Sequence, residues 1–172
     1  FIPFRLDTES HAPERGRLTD HIPRDRDALA AFDAYREGYL AFVDGGDPHA
    51  ALAHLRRACA LQPRQALYHK VAALLAIRTG DYAAAERSLA RALELGHPDP
   101  ERVEAFRLWH GRALDLLGRR EEALAAYRRV LEAQAVDPGV RAAARRGLRR
   151  PYPPRRARRV PIEFAKADVV RP

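Results

Sequence analysis

The sequence predicts an all-α chain in which three helical hairpins stack side by side and a lone capping helix closes the stack, with extended arms at both ends. The first supporting observation is a recurrence at thirty-four residues: Ala51, Leu55, Ala58 and Leu61 are repeated by Ala85, Leu89, Ala92 and Leu95. Such a period marks a helical unit that cannot bury its apolar face alone. The second is punctuation, with Asp-Pro helix starts at residues 47–48, 99–100 and 137–138 and glycine stops at Gly80, Gly96 and Gly118. The third is composition: 47% apolar residues in a chain of 172 allow an ordinary core despite a 31% charged fraction.

The opening helix starts near Asp27 and carries Phe32, Tyr35, Tyr39 and Phe42 along one face until Asp44-Gly45-Gly46 stops it. Asp47 caps a second helix that runs from Pro48 to about Leu61, with Pro63 beyond it. A third helix runs from about Gln65 to Arg78 and ends at Gly80. Asp81 then caps a fourth, which stops at Gly96. Helix five contains Phe106, Trp109, Leu114 and Leu117, and helix six contains Ala123, Tyr127, Val130 and Leu131. Gly80 to Gly118 spans thirty-eight residues, so the third unit has four extra, most simply placed in the 98–102 connection. Pro138 opens the capping helix.

The expected organisation is an extended N-terminal arm over 1–24, a repeat domain over 25–150 and a Pro/Arg-rich extended arm over 151–172. Within the domain the hairpins fall at about 27–62, 65–96 and 100–134, with the capping helix at 138–148.

These units resemble the tetratricopeptide repeat. The match lies in Gly46-Asp47 with Ala51, Leu55, Ala58 and Pro63; in Gly80-Asp81 with Tyr82, Ala85, Leu89 and Ala92; and in Gly118 with Ala123, Tyr127 and Val130. The first helices depart from the pattern, with Tyr35, His69 and Arg107 at the family's tryptophan position and Gly38, Ala73 and Gly111 at its following glycine. One extra residue between Gly38 and Gly46 leaves the register of the opening helix open by one. The resemblance implies a right-handed α-solenoid whose first helices line a concave groove for a peptide or partner segment. Carried over by position, that groove presents Phe32, Tyr35, Tyr39 and Phe42, then Leu67, Lys70, Leu74 and Arg78, then Ala105, Leu108, Arg112 and Asp115. A variant of the family grips a C-terminal carboxylate with Lys and Asn. Here Tyr35 and Tyr39 hold the first-unit positions and the chain has no Asn, so chaperone-tail binding is not expected.

Charge is unevenly spread. Nine arginines fall between Pro138 and Val160 with no acidic residue among them: Arg141, Arg145, Arg146, Arg149, Arg150, Arg155, Arg156, Arg158 and Arg159. The net charge is +8, so this +9 leaves the remainder near −1. Arg141, Arg145 and Arg149 form a stripe on the capping helix, and Pro151, Pro153 and Pro154 then force an extended path. The segment is suited to anions, yet it lacks the interleaved aromatics that base stacking needs, with Tyr152 alone among its arginines, so nucleic acid is disfavoured. Twenty-nine arginines against two lysines also suggest a compositional habit, with the cluster docking on an acidic rim or an acidic partner.

Residues 1–6 and 160–164 are short apolar segments broken by proline, read as arms that pack along the stack or reach another domain. The chain has no methionine and begins at Phe1 inside one of these segments, which points to a processed or excised piece. Chemistry in a missing part would leave no trace here. The seven histidines lack metal-ligand spacing, and Cys59 shares a repeat position with Leu93 and Leu131, as a packing residue does. Neither a phosphate loop nor a nucleophile elbow is present, and no cofactor is implied. The longest apolar run, residues 71–77, is too short to span a bilayer. With one cysteine there is no disulfide framework, which fits a cytoplasmic setting.

The reading is a non-enzymatic interaction module that binds a protein or peptide, with arginines guiding an acidic partner. The alternative is an accessory region or processed subunit that docks through its arms on a catalytic partner, linked covalently or not. A weaker one is anion or nucleic-acid binding through residues 141–159.

Overall fold

A computed structural model describes residues 15–164, with side chains from residue 26 onward. Its helices are α1 (Arg15–Val43), α2 (Pro48–Leu61), α3 (Ala66–Thr79), α4 (Tyr82–Leu95), α5 (Pro100–Leu116), α6 (Arg120–Glu132), α7 (Pro138–Arg149) and a single turn, α8 (Pro154–Ala157). The described residues contain no strand. Helices α1–α2, α3–α4 and α5–α6 pair as hairpins, each hairpin packs on the next, and α7 covers α5 and α6.

The helix starts have the expected chemistry. Asp47 accepts from the backbone N–H of His49 and Ala50, both at 3.0 Å, Asp99 from Glu101 at 3.0 Å, and Asp137 from Gly139 and Val140 at 2.8 and 3.1 Å. Each cap precedes a proline, whose missing N–H would have been unpaired in a first turn anyway. The turns inside hairpins two and three close alike. Gly80 and Gly118 take φ of +89° and +76°, and the next N–H reaches back to Ala76 and Leu114, both at 2.9 Å.

The first hairpin settles the open register. Its turn is one residue wider, with the Asp47 N–H reaching back six positions to Ala41 at 3.1 Å, so the extra residue lies in the turn. Gly38 therefore keeps the close-approach position: a Cβ there would lie 2.4 Å from Leu55 Cδ2. Gly111 is its counterpart in α5, where a Cβ would lie 2.7 Å from the Tyr127 ring.

Three expectations need correction. Helix α1 begins at Arg15, so the arm expected to be extended over 1–24 is helical from Arg15 onward, and residues 1–14 lie outside the described part. Pro23 lies inside this span, where it cannot donate a backbone hydrogen bond. The four extra residues of unit three are not a loop. Both inter-hairpin connections have the same length; three of the four lengthen α5, which runs 17 residues against 14 for α3 with the Asp99 cap and Glu101 in its first turn, and the fourth lies in the 117–119 turn, one residue longer than 80–81. The C-terminal arm is also not wholly extended, since Pro154 at a first helical position allows the turn α8 before the chain straightens.

The apolar core runs through the stack. Ala51, Leu55, Ala58, Ala73, Leu75, Ile77, Ala85 and Leu89 are fully buried where helices cross, and small side chains there let backbones approach closely. A second cluster joins Leu108, Leu114, Tyr127 and Val130 to Val136 and Ala144 beneath α7. Cys59 packs at the edge of the first cluster, as its repeat position indicates, and burial pushes its thiol up to about 12.

Candidate functional site

The first helices α1, α3 and α5 present the residues expected to line the groove, and the chain's own C-terminal arm lies against them from unit three back to unit one. At unit three the Tyr152 N–H donates to the Asp115 carboxylate at 2.9 Å. Its ring packs edge-on to Trp109 with centroids 6.0 Å apart. The Arg112 guanidinium lies over both rings, 4.3 Å from the Trp109 centroid and 4.8 Å from that of Tyr152. At unit two Arg78 donates to the Val160 carbonyl at 2.7 Å, and the Val160 side chain is buried. At unit one Phe164 enters an aromatic cage, its ring 5.3 Å from Tyr35, 5.2 Å from Tyr39 and 6.4 Å from Phe42. Tyr35 in turn stacks on Tyr68 at 5.1 Å, and Arg78 lies over Phe42 at 5.1 Å.

The arm is held in two ways. Asp115 and Arg78 bind its backbone, which any sequence supplies, whereas Tyr152, Val160 and Phe164 bind through side-chain shape, which few sequences supply. Asp115 is itself fixed: buried, it accepts from Arg120 at 2.8 Å and from the Tyr127 hydroxyl at 2.7 Å. Burial and this acceptor hold the Tyr127 hydroxyl protonated well above its usual range. Burial also raises the Tyr152 phenol and lowers the Arg112 guanidinium.

The structure brings Tyr35, Tyr39, Phe42, Arg78 and Arg112 together around the arm, with Leu74 buried in the core cluster that also contains Val160 and Phe164. Lys70 is half-buried one turn before Leu74. Leu108 and Leu67 are placed elsewhere. Leu108 is buried in the cluster under α7, and Leu67 is buried with Ala66, Ala92 and Phe106 between hairpins, because both side chains face a neighbouring helix. The arginine stripe also divides. Arg141 is turned back onto the end of α6, donating to the Leu131 and Ala133 carbonyls at 3.4 Å, and Arg145, Arg149, Arg155 and Arg156 stay exposed.

Sequence reasoning missed Trp109, Tyr152, Val160 and Phe164 as one constellation. The available signal was complementarity: an apolar segment ending in Phe164 lay outside a stack whose first helix offered a row of four aromatics to its groove. Among the described residues no group of histidine, cysteine and acidic side chains could hold a metal. No described helix is long and apolar enough to cross a membrane.

No curated protein is significantly similar in sequence. The N-terminal domain of stress-induced protein-1 (STI-1) from C. elegans has a similar fold, with a TM-score of 0.61, 19% identity, and coverage of 72% of this chain and 98% of that one. The tetratricopeptide repeat family profile matches residues 40–101 and 70–138, more than half of the chain. With its hairpin stack, glycine-closed turns and small-residue crossings, the chain belongs to the tetratricopeptide repeat family.

Proposed function

We propose that this chain is a non-enzymatic protein-interaction module whose groove takes an extended segment carrying an aromatic side chain, and that its own arm holds the place of such a partner. The carrying observation is the arm itself: Phe164 in the Tyr35–Tyr39–Phe42 cage and the Val160 carbonyl on Arg78. A partner segment would need an aromatic residue with an aliphatic one about four positions before it. The accessory-subunit reading lacks an equivalent support, because the described part of the arm it would use is already bound within the groove.

A tethered arm competes at an effective concentration in the millimolar range. A labelled peptide spanning Arg158 to Phe164 is therefore expected to bind the full chain weakly. It should bind a Phe164→Ala variant at least about tenfold more tightly, because the cage is then vacant. Equal affinity for both chains, or no binding to the variant, would remove the groove as the partner site.

A further inference from the structure

The eight arginines from Arg145 to Arg159 are exposed and have no ion-pair partner among the described residues. Arginines elsewhere are often paired, as in Arg56–Asp81 at 3.3 Å, Arg91–Glu94 at 3.1 Å and Arg107–Glu104 at 3.1 Å. Several of the unpaired groups converge, because α7 delivers its last turn against the start of the arm and Tyr152 is pinned there by Asp115. Between them lies a cavity of about 460 Å³ lined by Arg112, Arg146, Arg149, Arg150, Arg155 and Arg156. Its volume lies within the range of small-ligand sites.

We propose that this cleft binds a compact oligophosphate, a small ligand carrying several phosphate groups close together. Planar guanidinium forks match phosphate oxygens in pairs, and six of them around one cavity repel each other until an anion enters. Burial already disfavours the charged form of Arg112, and Arg146 and Arg156 push the same way, so a bound anion would offset both effects. The nearest buried carboxylate, Asp115, does not neutralise the cleft, because Arg120, Tyr127 and the Tyr152 N–H already engage it. A compact ligand is favoured over a nucleic-acid strand on two grounds. The charges close around a cavity instead of tracking an extended groove, and the Tyr152 ring, taken up by Trp109 and Arg112, offers no free platform for base stacking. An adjoining cavity of about 890 Å³, lined by Arg155, Arg156, Arg158 and Arg159, gives room for a longer phosphate chain.

The site lies on the cap side of Tyr152, and its test is independent of peptide binding to the unit-one cage. Inorganic tripolyphosphate titrated calorimetrically into the full chain at low salt is expected to bind saturably at one site. A double Arg146→Glu, Arg156→Glu variant, both positions exposed, should weaken binding at least about tenfold with the helical circular dichroism unchanged. The control Arg57→Glu, Arg87→Glu makes the same charge change at exposed positions elsewhere and should weaken it by less than about threefold. Absence of saturable binding, or an equal loss in the control, would overturn the site. Tighter binding of a mixed-sequence RNA or of vesicles rich in anionic lipid than of tripolyphosphate, abolished by the same double variant, would overturn the compact ligand.

Discussion

The two ends of the C-terminal arm are held by opposite chemistry. At unit one Phe164 meets rings and little else, so its attachment rests on apolar area. At unit three Tyr152 joins a network in which one buried carboxylate serves a guanidinium, a phenol and a backbone N–H at once. An area contact weakens gradually and locally as atoms are removed. A buried polar network fails as a unit, because each lost member leaves the others desolvated and unpaired.

The largest effect is therefore expected at the polar end. Asp115→Ala leaves the Tyr127 hydroxyl and the Tyr152 N–H without their acceptor, while Arg120 keeps the Gly147 and Leu148 carbonyls, and it should cost about 3 kcal/mol in chemical denaturation, a large share of a typical domain's stability. A cost below about 1 kcal/mol would show that water replaces the carboxylate and that the network is dispensable. Tyr127 makes collapse around the loss difficult, since Gly111 and Gly147 both press on its ring.

Phe164→Ala is the matching cut at the apolar end. It should cost about 2 kcal/mol of arm docking, seen as faster amide exchange over residues 160–164, while the repeats unfold at nearly the same denaturant concentration. Cooperative loss of the whole stack would make the arm an integral part of the fold and erase the contrast between the two ends.

The smallest effect is set away from both ends, at Cys59. Burial raises its thiol to about 12, so the folded chain should resist alkylation at pH 8 and react readily only in denaturant. A thiol raised by folding adds stability below its unfolded value near 8.5, and that contribution is lost as pH climbs from there toward 12. Rapid labelling of the native chain at pH 8 would mean that the α2 edge of the stack opens easily.

Much of the architecture was legible because it is local. Asp47, Asp99 and Asp137 announce helix starts through chemistry contained in a few neighbouring residues, and Gly80 and Gly118 do the same for turns. The start of α1 was not, because the aromatic series that marks the helix begins only at Phe32 and no comparable apolar spacing extends it back to Arg15. The site was half legible. Tyr35, Tyr39, Phe42, Arg78 and Arg112 follow from repeat position, but that the groove is covered depends on Phe164 crossing from the far end of the chain. No short-range pattern carries that information. Leu108 shows the same limit in reverse, since its position suits a groove until α7 takes its side chain into the core.

Nuclear Overhauser contacts in the 172-residue chain test most directly whether the C-terminal arm lies along the first helices. Aromatic cross-peaks from Phe164 to Tyr35 and Tyr39 are expected, with shifts displaced by the surrounding rings. A Phe164 ring at random-coil shifts without such cross-peaks would contradict the account and leave the groove open.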